Sequence, residues 1–129
     1  MVLEFHETFN HPINAHPLPM EYLKLRIKLI EEEVGELIEE LWNYAQTGEI
    51  SPNLLKERAD VQYVLDGLDV SIGYDAVEAT ALVHESNMSK LGEDGLPVYR
   101  EDGKVMKGPN YQKPNLTPLV DRIEDEHTL

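Results

Sequence analysis

Six carboxylates crowd the twelve residues from Ile30 to Leu41: Glu31, Glu32, Glu33, Glu36, Glu39 and Glu40. Like charges three or four apart on a helix repel by a few tenths of a kcal/mol per pair. Such a density is either a solvated acidic face or a seat for something positive. Projected at about 100° per residue, Ile30, Val34, Leu37, Ile38 and Leu41 fall on one apolar stripe. Glu33 lies on its edge, with Glu36 and Glu32 further round the same side, while Glu31, Glu39 and Glu40 read as surface. Downstream, Leu54, Val61, Val64, Leu65, Leu68 and Ile72 make a second stripe; Glu57 projects into it and Asp60 sits on its edge. A carboxylate facing a core must be neutralised, paired or bound to a metal, because an unpaired buried charge is very costly. Lys56 and Arg58 flank Glu57 but project elsewhere on this helix. Hard oxygen ligands from two neighbouring helices suit Mg²⁺, Mn²⁺ or Ca²⁺. Asp66 and Asp69 are expected in solvent.

The elements that must position these acids can be traced from caps and breakers. A short apolar-periodic piece (Val2, Leu3, Phe5, Phe9) reads as a first helix, and Pro12, Pro17 and Pro19 make the next ten residues a loop. A long helix is predicted from about Met20 to Gln46, ended by Thr47-Gly48. Ser51-Pro52 reads as an N-cap with proline at the first helical position, and the third helix runs to Ile72, stopped by Gly73. Asp75 caps a fourth helix that halts at Gly92. Two Asp-Gly pairs beyond it suggest turns and a loose hairpin. The end, DRIEDEHTL, is an acidic tail, either a short helix or disordered. The expected fold is all-α: a four-helix bundle-like single domain over residues 1–129, with a helical core to about residue 91 and an irregular C-terminal arm from about 92.

Bulk composition narrows the function. The 129 residues carry 25 acids against 11 Lys and Arg, a net charge of -14. Such a chain repels DNA or RNA, whose binding depends on neutralising phosphates, so no nucleic-acid polymer is expected as partner. A small phosphate-bearing ligand is compatible if cations screen the acids. There is no cysteine, hence no disulfide and no thiolate metal site. No apolar run reaches the roughly 18 residues a membrane span needs, and the first residues lack the basic start and apolar core of a secretory signal. A cytoplasmic location is expected, with no membrane partner.

The acids also carry a likeness. Glu32-Glu33-Val34-Gly35-Glu36, followed a helix later by Glu57-Arg58-Ala59-Asp60, resembles the signature of the MazG-like all-α nucleoside triphosphate pyrophosphohydrolases, a group that includes phosphoribosyl-ATP pyrophosphohydrolases. EFHETFNHPIN at the start, VHESNMSKL in the fourth helix and YREDGKVMKGPNY in the arm look like segments of the short phage and bacterial members, which implies a bacterial or phage-infected host cell. The departure is Gly35 inside the metal helix, which costs up to about 1 kcal/mol against alanine. The resemblance implies metal ligands at Glu33, Glu36, Glu57 and Asp60, with two or three Mg²⁺ or Mn²⁺ ions per site. It implies Glu32 as a further ligand or the base that orients and deprotonates water, beside Glu33 in the catalytic set. The implied reaction cleaves a nucleoside triphosphate between its α and β phosphates. A homodimer or homotetramer is also implied, its sites built from two protomers.

Asn87 and Lys90, at the family's Asn-x-x-Lys positions, are expected at the substrate phosphates, Lys90 as a point charge and Asn87 as a donor. Lys104, Lys107 and Tyr111 make a locally basic stretch of the arm that could close over phosphates. Ile13, Asn14 and His16, in the proline-bounded loop, are candidates to read a nucleobase edge. The five histidines show no zinc-like spacing; His84 is expected against the apolar face of the fourth helix, and Trp42 and Tyr44 as packing or subunit contacts. No G-x-x-x-x-G-K phosphate loop is present, so phosphates would be held by metals and side chains. Two alternatives stay open: a non-catalytic acidic interaction module, and a phosphoribosyl-ATP pyrophosphohydrolase. The base and sugar of the substrate are not legible.

Overall fold

A computed structural model describes residues 1–127, and the chain divides into two compact units, Met1–Tyr74 and Asp75–Leu129. Thr128 and Leu129, the end of the acidic tail, lie outside the described residues.

The first unit holds α1 (Val2–Thr8), α2 (Met20–Thr47) and α3 (Pro52–Ile72). Gly48 ends α2 in the left-handed region at φ 69°, its N–H bonded to the Tyr44 carbonyl at 2.8 Å. Only three residues later Ser51 opens α3: its hydroxyl accepts from the Leu54 N–H at 3.1 Å, and Pro52 takes the first turn, where no donor is needed. So short a turn makes α2 and α3 an antiparallel pair. Polar rungs mark their register, with Tyr22 against Ser71 at 3.0 Å towards one end and Asn53 against Glu40 at 2.7 Å towards the other. Ser51→Ala is expected to lower stability by about 1 kcal/mol in a urea titration with an unchanged slope; a loss below the error of the fit would show the cap to be idle.

The proline loop is tied to the end of α3. The N–H groups of Asn14 and Ala15 donate to the carbonyls of Val70 and Ser71 at 3.0 and 2.8 Å, satisfying groups that the last helical turn leaves open. Asn14 itself adopts φ 47° and its side chain lies against Gly73, where a Cβ would come within 2.3 Å of Asn14 Oδ1. His11 bonds the Tyr22 hydroxyl at 3.2 Å, and Phe5 of α1 meets Tyr63 of α3 edge-on at 5.6 Å.

Burial holds the His11 imidazole below its ordinary pKa, with the neighbouring His6 and the Arg26 guanidinium adding to the effect. The unfolded chain therefore binds this proton more tightly than the folded one, and stability is lost as pH falls below about 6.5. Melting His11→Asn beside the parent at pH 7.5 and 5.5 should show a smaller acid-induced drop in the variant. Equal drops would remove His11 from the acid response.

In the second unit Asp75 caps α4 (Ala76–Met88) by accepting from the Glu78 N–H at 3.1 Å. The helix stops short of Gly92 because Ser89 turns inward, donating to the Ser86 carbonyl at 2.6 Å and accepting from the Gln112 N–H at 2.9 Å. The expected hairpin is present: Tyr99 bridges Val105 in antiparallel fashion around Asp102-Gly103, with Gly103 at φ 89°. The acidic tail is helical as α5 (Thr117–Glu126), and Arg122 there forks onto the two Glu78 oxygens of α4 at 2.9 and 3.3 Å. Among the described residues the chain is all-helical apart from that bridge, and no helix is long and apolar enough to cross a membrane.

Two placements differ from expectation. His84 is exposed, while His6 of α1 is the buried histidine, only 1% exposed. Asp69, expected in solvent, is half-buried under the Tyr74 hydroxyl, and that burial pushes its carboxyl up. Arg26, in the second turn of α2, is buried. The apolar stripe of α2 is largely uncovered: Val34, Ile38 and Leu41 are exposed.

Candidate metal centre

Seven residues of α-helix bring a side chain back to nearly the same face. The seam between α2 and α3 therefore presents side chains in matched steps, and midway along it stand Glu33 and Glu36 from α2, Glu57 and Asp60 from α3. One carboxylate oxygen from each lies within 4.8 Å of the others. Oxygens on opposite sides of one hard cation are separated by twice the metal–oxygen bond, about 4–5 Å. The four donors are thus close enough to share a cation shell.

Burial within this group is graded. Glu57 is 6% exposed, Glu33 and Asp60 are intermediate, and Glu36 is exposed. Burial is the main cause that pushes the Glu57 carboxyl above its ordinary pKa, and a hydrogen bond with Glu36 adds to it, while Lys56 acts the other way. Two oxygens, Glu33 Oε2 and Glu57 Oε2, are buried with no hydrogen-bond partner among the described residues. Buried carboxylate oxygens that belong to a cluster of acids and are satisfied by no donor call for a cation, and oxygen-only donors suit Mg²⁺ or Mn²⁺. The residues fit such an ion.

Lys56 corrects the expectation that it points elsewhere. Its Nζ lies 2.8 Å from Asp60 Oδ2 and 3.4 Å from Glu57 Oε1. A long flexible side chain one turn before Asp60 reaches the site although its Cα projects away from it. Arg58 does stay away, bonded to Gln62 along the outer face of α3. Among the described residues one ammonium stands against four carboxylates, which leaves the cluster short of positive charge. Glu32 is outside the cluster, half-exposed, with Lys28 at 3.9 Å.

The other predicted residues occupy distinct places. Ile13, Asn14 and His16 lie in the proline loop of the first unit, and Asn14 is held there by its backbone bond to α3. In the second unit Asn87 and Lys90 line a pocket of about 470 Å³ with Met88, Leu91, Pro97, Tyr99 and Val105. The Gly108 N–H donates to the Lys90 carbonyl at 2.8 Å, and Gly108 packs so closely on Leu91 that a Cβ would meet its carbonyl oxygen at 2.1 Å. That contact fixes Lys107 beside α4, with its Nζ over the Tyr111 ring at 4.7 Å from the centroid. Lys104 belongs to the hairpin, where its N–H donates to Asp102 at 3.2 Å.

Comparison with known proteins bears on the same segment. The profile of the phosphoribosyl-ATP pyrophosphohydrolase family matches residues 2–87, a stretch that holds all four clustered acids. An uncharacterized protein of Acanthamoeba polyphaga mimivirus is 31% identical over 137 residues, covering 96% of this chain and 48% of that protein; the chain thus spans about half the length of this relative. Among solved structures, a candidate NTP pyrophosphohydrolase from Exiguobacterium sp. 255-15 superposes with a TM-score of 0.53 at 25% identity, covering 98% of this chain and 95% of its own.

Proposed function

The chain belongs to the phosphoribosyl-ATP pyrophosphohydrolase family, and from that premise we propose that it hydrolyses a nucleoside triphosphate between the α and β phosphates, giving a nucleoside monophosphate and pyrophosphate. The observation that carries this is the four-carboxylate cluster with its two buried, unpartnered oxygens. Glu33, Glu36, Glu57 and Asp60 would hold Mg²⁺ or Mn²⁺, two or three ions in all. When bound, such ions screen the acids from the triphosphate, polarise its phosphoryl oxygens and ease deprotonation of water.

The chain's own residues divide the remaining work. Glu32, adjacent to the cluster but not in it, accepts the proton of the attacking water; its exposed contact with Lys28 is too weak to hold it back. Lys90 and Asn87, with Lys104, Lys107 and Tyr111 of the arm, bind the phosphates and offset their charge. The loop of Ile13, Asn14 and His16, anchored on the end of α3, meets the nucleobase; its fixed backbone suits recognition. The exposed apolar face of α2 supports a homodimer or homotetramer in which a second copy covers Val34, Ile38 and Leu41. Specific activity should then fall on dilution below the dissociation constant; a fully active monomer would exclude a shared site.

The description of the matching family favours phosphoribosyl-ATP as a second candidate substrate, and the bond cleaved would be of the same kind. Pyrophosphate release should be measured with Mn²⁺ and Mg²⁺ across ribo- and deoxynucleoside triphosphates, with phosphoribosyl-ATP alongside. Stoichiometric pyrophosphate and monophosphate from at least one of them is expected. Orthophosphate as the product would exclude cleavage between the α and β phosphates, and no release from any would leave the acidic interaction module as the better account. Lys90→Ala should raise KM for the triphosphate about tenfold with Mn²⁺ affinity intact; equal loss of both would remove Lys90 from the phosphate site.

A further inference from the structure

Arg26 is 3% exposed, and among the described residues no carboxylate pairs with it. Its Nη2 donates to the Val64 carbonyl of α3, and its Nε is buried without a partner among the described residues. The guanidinium fits only because α3 has a glycine opposite: a Cβ on Gly67 would lie 2.1 Å from Nη2 and 2.8 Å from Cζ. A buried charge so poorly compensated is a weak source of stability, since apolar replacements of such groups are often neutral or favourable. A planar donor locked onto one carbonyl does supply a fixed position.

That position bears on the acids. Seven residues along α2 from Arg26 is Glu33, and seven residues back along α3 from Val64 and Gly67 are Glu57 and Asp60. Seven residues is nearly two full turns, so each pair shares a face, about 10 Å apart along the helix axis. The guanidinium contact and the carboxylate cluster are therefore successive rungs of one seam. The apolar side chains nearby, Val61 buried and Leu29 and Val64 half-buried, are non-directional, and by themselves would resist sliding only weakly. A slip of even one residue moves a side chain by about 1.5 Å along the axis and turns it by about 100°. Four oxygens gathered within 4.8 Å cannot absorb that.

We propose that Arg26, seated in the notch left by Gly67, is a positioning residue that sets the register of α2 against α3 and so brings the four carboxylates to a common centre. The register itself stands on the contacts above, while its consequence for metal rests on the proposed function. The chain has no cysteine, so nitroxide labels can be placed at Glu39→Cys on α2 and Arg58→Cys on α3, both exposed and outside the cluster. Distances are measured by pulsed electron resonance in chains diluted with unlabelled protein, for the parent, Arg26→Met, Gly67→Ala and the double variant. Mn²⁺ affinity is measured by calorimetry on the unlabelled counterparts, at a temperature where circular dichroism shows each folded.

The parent should give one narrow distance. Both single variants should shift or broaden it by on the order of 1.5–5 Å and weaken Mn²⁺ binding about tenfold or more, and the double variant should be no worse than either, because both changes break one contact. An unchanged distance in Arg26→Met or Gly67→Ala would overturn the proposal, as would a changed distance with parental Mn²⁺ affinity, or losses that add in the double variant. A parent that fails to bind Mn²⁺ would refute the metal centre, and the distances alone would then decide the register.

Discussion

Glu57→Gln should melt higher than the parent in metal-free buffer at pH 7, yet lose its response to Mn²⁺ and at least about a thousandfold in turnover. The stability half follows from the sign of the pKa shift. Burial, and then the Glu36 hydrogen bond, raise the folded carboxyl above its ordinary value, so the folded state holds this proton to higher pH than the unfolded chain does. Its contribution is favourable at low pH and is lost as pH rises through the folded value, leaving an ionised, crowded carboxylate as a penalty at pH 7. Glutamine removes the charge and keeps the shape; Lys56 keeps its contact with Asp60. The activity half follows because the most buried donor of the cage can no longer neutralise a cation. A thousandfold loss is about 4 kcal/mol of transition-state stabilisation. Thermal melts with and without Mn²⁺, beside a pyrophosphate-release assay, check both halves. A variant that melts lower without metal and still turns over substrate would contradict the electrostatic account of the cluster.

Divalent metal should stabilise the parent strongly. A ligand that binds only the folded state at a hundred times its dissociation constant adds about 2.7 kcal/mol, which for a chain of 129 residues is a rise in melting temperature of roughly 10 °C. The effect should be reversed by a chelator. It should vanish in Glu57→Gln and in Asp60→Asn, whereas Lys56→Gln should keep or enlarge it, because Lys56 already places a cation on the cluster. A parent whose melting point is unmoved by millimolar Mn²⁺ would leave the four acids as a repelling group with no occupant.

Most of the helix ends were legible because each is written in local chemistry. Ser51-Pro52 and Asp75 are N-caps with the hydrogen bonds their side chains predict, and Gly48 and Gly73 stop helices by adopting left-handed φ. The acids were legible because a period of 3.6 places Glu33 and Asp60 at the margins of apolar stripes and Glu57 within one. What failed depends on contacts far apart in sequence. Arg26 carries no local sequence signal of burial; only the glycine at position 67, forty-one residues later, reveals that α3 leaves a hole for it. Lys56 departs from its expected place because projection locates a Cα, not the end of a flexible chain. The face of α4 on which His84 is expected is not buried there, whereas the buried imidazole of His6 is bonded to Val2 O at 3.0 Å within α1, a local bond with no sequence signature. The early end of α4 turns on Ser89 meeting Gln112, a partner in the arm.

The central claim is that α2 and α3 together hold divalent cations between Glu33, Glu36, Glu57 and Asp60. Crystals soaked in Mn²⁺ and measured at the manganese absorption edge test it most directly. Strong anomalous peaks bounded by those four side chains, absent in Glu57→Gln, are the predicted result. Fully exchanged crystals with no peak there, or with manganese only at other acids, would contradict it.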